Sequence, residues 1–143
     1  MAPPRKTEET ADRIHSAAIR LLRFVRKEDA ASGLRPAQLS ALSVLVFAGP
    51  QSLSALAAAE QVKPPTMSQL VVEMERKGLA ARTAFDRRSI RISATEKGRR
   101  LMEAGRERRL ARLAASLSRL PPDKLALLLQ AADIILVATE PPA

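Results

Sequence analysis

Proline and glycine cut this chain at Gly33, Gly49-Pro50, Pro64-Pro65, Gly78 and Pro121-Pro122, and the cuts constrain its fold more than any other feature. Glycine weakens a helix interior through backbone entropy, and proline breaks one through its missing N–H and its clash with the preceding turn. Between the cuts, apolar residues recur at helical spacing. Ile14, Ala17, Ala18, Leu21, Leu22 and Val25 predict a first helix ending near Gly33. Pro36 suits the first turn of a second helix, whose Leu39, Leu42, Leu45 and Val46 run to the Gly49-Pro50 stop. Ser52 or Ser54 can cap a short third helix from Ala55 to Glu60. A fourth opens at Pro64 and carries Met67, Leu70, Val71 and Met74 on one stripe until Gly78.

After Gly78 the period changes. Leu79 to Phe85 and Ile90 to Ser93 are β-compatible segments around the polar turn Asp86-Arg87-Arg88-Ser89, with Ile90 and Ile92 alternating with Arg91 and Ser93. Thr95 can cap a long helix through Leu101, Met102, Leu110, Leu113, Leu117 and Leu120, about 25 residues or roughly 37 Å. Beyond Pro121-Pro122, a last helix has Leu125, Leu128, Leu129, Ala132, Ile135 and Leu136 on one face and Leu127, Ile134 and Val137 on others, more apolar surface than one small domain covers. The expectation is a mainly α chain with a small β-hairpin wing. Its 143 residues are expected to make one domain, with the short helices and the hairpin over residues 36–94 and the longer helices over 8–33 and 95–140.

Several classes of function fall away. The longest apolar runs are five residues (Val44 to Ala48, Ala55 to Ala59, Leu125 to Leu129, Ile134 to Ala138), against the roughly 20 of a membrane-spanning helix. The start, MAPPRKTEET, has no apolar leader, and the expected location is the cytoplasm. With no Cys and only His15, neither a metal site nor a nucleophile with its base can be assembled, and the dispersed glycines draw no phosphate loop. The expectation is a non-enzyme without cofactor or metal. Three phenylalanines are the only aromatic residues, too few for a base-stacking platform.

Charge is uneven. Of the net +9, residues 63–112 carry +8, the preceding part +2 and the following part −1. Such a cluster is either a footprint for a polyanion or a solvated helix face. The short helix, the tight Glu60-Gln61-Val62-Lys63 connection and the helix from Pro64 have the dimensions of a helix-turn-helix. With Met67, Leu70 and Met74 inward, Pro65, Thr66, Ser68 and Gln69 stand near the exposed start. There Gln69 could pair with adenine, Thr66 could meet a thymine methyl or a phosphate, and Lys63 could add a phosphate contact.

The run Pro65-Thr66-Met67-Ser68-Gln69-Leu70, then Glu75-Arg76-Lys77-Gly78-Leu79-Ala80-Ala81-Arg82, then Asp86-Arg87-Arg88-Ser89-Ile90-Arg91-Ile92-Ser93-Ala94-Thr95-Glu96-Lys97-Gly98 resembles the MarR family of bacterial winged-helix transcription regulators. The resemblance covers nearly the whole chain. It implies that the helix from Pro64 is the recognition helix, that Asp86 and Arg88 are the wing's Asp-x-Arg pair, with the Arg entering or flanking the minor groove, and that Arg82 stabilises the wing or a phosphate. Arg87 and Arg91 complete the basic cluster. A narrow minor groove attracts an inserted guanidinium, and Asp86 is expected to orient its neighbour by a charge-assisted hydrogen bond. The chain departs from the family in three respects, the first being that it has no Cys, so members that sense peroxide through a Cys in helix one are not its model. The segment between Arg82 and Asp86 is shorter than usual, which leaves open minor-groove insertion or a phosphate contact for Arg88. Lys63 and Pro64 stand where a Ser or Thr cap is frequent.

The resemblance also implies that residues 36–94 are a winged helix-turn-helix DNA-binding part and that 8–33 and 95–140 form a discontinuous helical dimerisation part, giving a homodimer through the first and last two helices. The sequence asks for one independently, since Leu110, Leu113 and Leu117 continue past the winged part. A two-fold dimer reads a pseudo-palindrome in double-stranded DNA. In this family a small, often aromatic or phenolic, ligand binds between the dimer helices and the winged part and shifts the balance of two geometries; repression relieved by that ligand is the usual mode. The alternative is an interaction module that binds protein or RNA through Arg99, Arg100, Arg106, Arg108, Arg109 and Arg112.

Overall fold

The computed structural model describes residues 2–140, and the chain divides into two compact units, Met1–Arg109 and Leu110–Ala143. The first begins with helix α1 (Arg5–Arg26), followed by a 3-10 segment (Lys27–Ser32). The helix expected to end near Gly33 therefore tightens after Arg26 before Gly33, at φ 70, closes it in the left-handed region. Then come α2 (Pro36–Phe47), α3 (Leu53–Ala59), α4 (Pro64–Arg76), β1 (Ala80–Ala84), β2 (Ile90–Ala94) and α5 (Glu96–Leu117), which runs on into the second unit.

Residues of α2, α3, α4, the hairpin and α5 share one core. Ala41, Leu42 and Leu45 meet Leu56 and Ala57, the α4 stripe Met67, Leu70, Val71 and Met74, then Leu79, Ala80, Ile92 and Met102. Burying a side chain such as Met67 or Leu70 contributes about 1.5 to 3 kcal/mol, so the stripe read from the sequence is what seats α4.

The exit from α4 is fixed by its backbone. Gly78, at φ 71, donates to the Glu75 carbonyl (2.9 Å) and Leu79 donates to the Met74 carbonyl (2.9 Å), the paired bonds of a Schellman stop. Thr95 ties this stop to the next helix: its hydroxyl donates to the Gly78 carbonyl (2.5 Å) and accepts from the Gly98 N–H (3.1 Å), the capping role its position predicts. A Cβ on Gly98 would lie 2.2 Å from the Leu79 carbonyl oxygen, so only glycine lets α5 start this close to β1.

The hairpin is antiparallel, with Ala80 opposite Ala94 and Ala84 opposite Ile90. Gln51 adds one further rung, exchanging main-chain bonds with Ile92 (3.0 and 2.7 Å). The alternation expected of β2 holds only at its root: Ile92 is buried, whereas Ile90 is 59% exposed because the outer half of the hairpin extends past the core.

The second unit holds the end of α5 and helix α6 (Pro122–Ala138). The long helix is 22 residues and stops at Leu117 rather than Leu120, where a turn bond from the Leu120 N–H to the Leu117 carbonyl replaces it. None of the α6 residues is buried; Leu127, Leu129, Ile134, Leu136 and Val137 are 57 to 69% exposed. Among the described residues no helix is long and apolar enough to cross a membrane.

Candidate nucleic-acid interface

Helices α3 and α4 and the turn between them form the helix-turn-helix. Ser52 caps α3 by accepting from the Ala55 N–H (3.1 Å). Its exit repeats the α4 stop, with Gln61 donating to Ala58 (3.1 Å) and Val62 to Ala57 (3.0 Å). Here Gln61 rather than glycine takes the left-handed position, at φ 55, which a side chain adopts at a cost of about 1 kcal/mol.

Lys63 is the extended residue before α4 and caps nothing with its side chain. Pro64 and Pro65 have no N–H to leave unsatisfied, and Thr66 supplies the first main-chain donor of the helix. Lys63, Pro65, Thr66 and Gln69 are exposed and Ser68 half-buried, while Met67 and Leu70 hold the opposite face in the core. The start of α4 therefore presents short polar groups on a rigid support.

The wing carries the rest of the predicted set. Arg82, on β1, donates through Nε to Glu75 Oε1 of α4 (3.0 Å), joining the hairpin to the end of the helix. Asp86 Oδ1 accepts from the main-chain N–H groups of Arg88 (2.8 Å) and Ser89 (2.9 Å). The charge-assisted bond thus goes to the backbone of the neighbour and fixes the turn, not to the Arg88 guanidinium. These bonds, first that from Arg88 and then those of Ser89, hold the Asp86 carboxyl below its ordinary range, with the Arg91 charge adding to them. Phe85 closes the loop by donating from its N–H to the Ser89 carbonyl (2.9 Å). Arg91 lies over the Phe85 ring at 4.6 Å from the centroid, a cation–π contact that stiffens the wing. Arg87 and Arg88 are exposed, and neither has an ion-pair partner among the described residues.

Three of the six α5 arginines are arranged otherwise. Arg99 bonds Glu96 and Glu103 (both 2.6 Å), Arg100 bonds Glu96 (3.2 Å), and Arg109 bonds Asp29 (2.8 Å). The Arg99 bonds hold the Glu96 carboxyl below its ordinary range, and Glu96 in turn raises Arg99.

Two features escape a reading of the sequence. Glu73 and Glu75 flank the buried stripe of α4 and receive Arg35, the residue before α2, and Arg82 of β1; their place beside the stripe is visible in the sequence, their partners are not. The second is a cavity of about 770 Å³ in the first unit, walled by residues that include Val25, Asp29, Leu34, Leu39, Met102 and Arg109. Among the described residues no three His, Cys, Asp or Glu side chains gather to hold a metal.

Comparison with known proteins agrees with this geometry. The family described as the MarR family matches residues 32–89. An uncharacterized HTH-type transcriptional regulator of Mycobacterium leprae is 34% identical over 122 residues, 84% of this chain and 85% of that protein. The chain belongs to the MarR family. An HTH-type transcriptional regulator of Mycobacterium tuberculosis is 32% identical over 126 residues, 87% of this chain and 88% of that protein. Among solved structures, a MarR family protein from Bacillus stearothermophilus superposes with a TM-score of 0.78 at 25% identity, covering 96% of this chain and 98% of that one. A transcriptional regulator from Thermotoga maritima shares the fold with a TM-score of 0.80 at 24% identity, covering 92% and 94%. The protein is thus a MarR-family transcriptional regulator with a winged-helix fold.

Proposed function

We propose that this MarR-family regulator binds a pseudo-palindromic operator as a homodimer and represses transcription until a small aromatic or phenolic ligand relieves it. The observation that carries the DNA reading is the pair of exposed arginines at the wing tip, without an ion pair among the described residues, on a hairpin that Arg82 ties to α4. In this reading α4 enters the major groove. Gln69 reads a base edge there, Thr66 and Ser68 meet bases or phosphates, and Lys63 and the Thr66 N–H hold the backbone beside Pro65. Arg88, presented by the Asp86 turn, and Arg87 beside it reach the minor groove or its phosphates, while Arg91 and Arg82 support the wing.

Support for the homodimer comes from α6, whose apolar residues are exposed or at most half-buried among the described residues. The cavity supports the ligand reading. Its wall combines apolar residues with Arg26, Ser40, Ser43 and the half-buried Arg109–Asp29 pair, and its arginines could meet a phenolate. A ligand acts there only through unequal affinity for two dimer geometries.

Selecting duplexes from a randomised pool at about 150 mM salt tests the function, because that salt suppresses nonspecific phosphate binding. The expected product is a two-fold motif with half-sites about one helical turn apart. Against it, Gln69→Ala should lose about 1 to 3 kcal/mol with relaxed base preference at one position. Enrichment of no motif would reject the proposal.

A further inference from the structure

Gln38 is the only polar side chain among the described buried residues, at 1% exposure. Its amide is nearly saturated. The Nε2 donates to Glu73 Oε2 of α4 (2.9 Å), and the Oε1 accepts from the Arg35 N–H (3.1 Å) and from Lys77 Nζ at the end of α4 (3.4 Å). The Arg35 guanidinium bonds the same Glu73 oxygen. One buried amide therefore joins the first turn of α2 to the last turn of α4.

A methionine would fill the same volume without needing partners, so packing does not explain the amide. Hydrogen bonds are directional where apolar contacts are not, and a satisfied buried polar network selects one arrangement among several of similar packing. Apolar packing along the α4 stripe constrains rotation of a helix less sharply than a directional bond such as Gln38–Glu73.

We propose that Gln38 and Glu73 are positioning residues that fix the rotation and tilt of α4 against α2, and so the aim of its exposed start at the bases. The proposal rests on the reading of α4 as the recognition helix. Gln38→Met, Glu73→Ala and Glu73→Gln test it, each measured for thermal stability and for affinity to the selected operator and to a random duplex of equal length. Gln38→Met and Glu73→Ala should lose about tenfold in operator affinity while keeping random-duplex affinity, and Glu73→Gln, which retains an acceptor oxygen, should recover most of the loss. A merely structural role would lower stability and leave the operator-to-random ratio alone. Glu73 is partly exposed, so its variants carry the test if Gln38→Met does not fold.

Ratios within twofold of the unsubstituted protein in folded variants would overturn the proposal. Should the unsubstituted protein itself show no operator preference, the regulator reading fails and amide hydrogen exchange judges the node alone. The Leu39 N–H, bonded to the Arg35 carbonyl, and the Lys77 N–H, bonded to the Glu73 carbonyl, should then exchange faster in Glu73→Ala, and unchanged exchange would reject the positioning role.

Discussion

Arg87 and Arg88 on the wing and Arg99 and Arg100 on α5 contribute equally to the net charge, yet their surroundings differ. The α5 arginines sit among Glu96 and Glu103 at hydrogen-bonding distance, so the field they project is largely cancelled within a few ångströms. Strength of pairing is not the reason, because exposed ion pairs of this kind are worth at most about 1 kcal/mol. The carboxylates matter because they would repel the same phosphate that the arginines attract. At the wing, the single acid Asp86 is turned onto backbone N–H groups, and the two exposed guanidinium groups have no ion pair among the described residues. A basic segment is therefore not a uniform polyanion surface. This weakens the case for an interaction module working through Arg99, Arg100 and Arg109, which are already engaged, and leaves Arg106 and Arg108 of that set without an ion pair among the described residues.

The strongest way to break this contrast is to remove two charges from each place. Arg87→Gln with Arg88→Gln should cost about 2 to 6 kcal/mol of operator affinity, read in a titration of labelled duplex. Arg99→Gln with Arg100→Gln should stay within about threefold of the parent, below the roughly 1 kcal/mol of an exposed pair. Equal losses would erase the distinction. A smaller effect sharpens it from the other side: Glu96→Gln with Glu103→Gln uncovers the α5 arginines. Affinity for random duplex at low salt should then rise several-fold, with a steeper salt dependence and a lower operator-to-random ratio.

The smallest effect concerns Asp86. Its folded-state pKa lies below the ordinary 3.8, so its contribution to wing order is fully present above that value and is lost as the pH falls through the lower, folded one. The Arg88 and Ser89 amide resonances should hold their positions down to the ordinary value and move only below it. In Asp86→Asn this acid step should vanish, and its survival there would assign it to another group.

The α4 stripe, the Gly78 stop and the Thr95 cap were legible because periodicity and turn chemistry act over a few residues. The turn-forming place of Asp86 was legible for the same reason, though its bonding to main-chain groups rather than to the Arg88 side chain was not. What stayed hidden is long-range. The Gln38–Glu73 bond spans 35 positions and the Arg109–Asp29 bond 80, and no spacing rule links residues so far apart. Ile90 shows a related limit: alternation marks which residues share a face of a strand, not where the core beneath that face ends. For the same reason charge counting could not separate the arginines that face carboxylates from those that do not.

The salt dependence of operator binding measures the central contrast most directly, because each phosphate that a side chain no longer neutralises reduces the steepness of log K against log salt by about 0.9. Between about 50 and 200 mM salt, the Arg87/Arg88 double variant should be shallower than the parent by nearly twice that amount, while the Arg99/Arg100 double variant keeps the parent slope. Equal reductions, or a larger one for α5, would contradict the account and move the DNA-binding surface away from the wing.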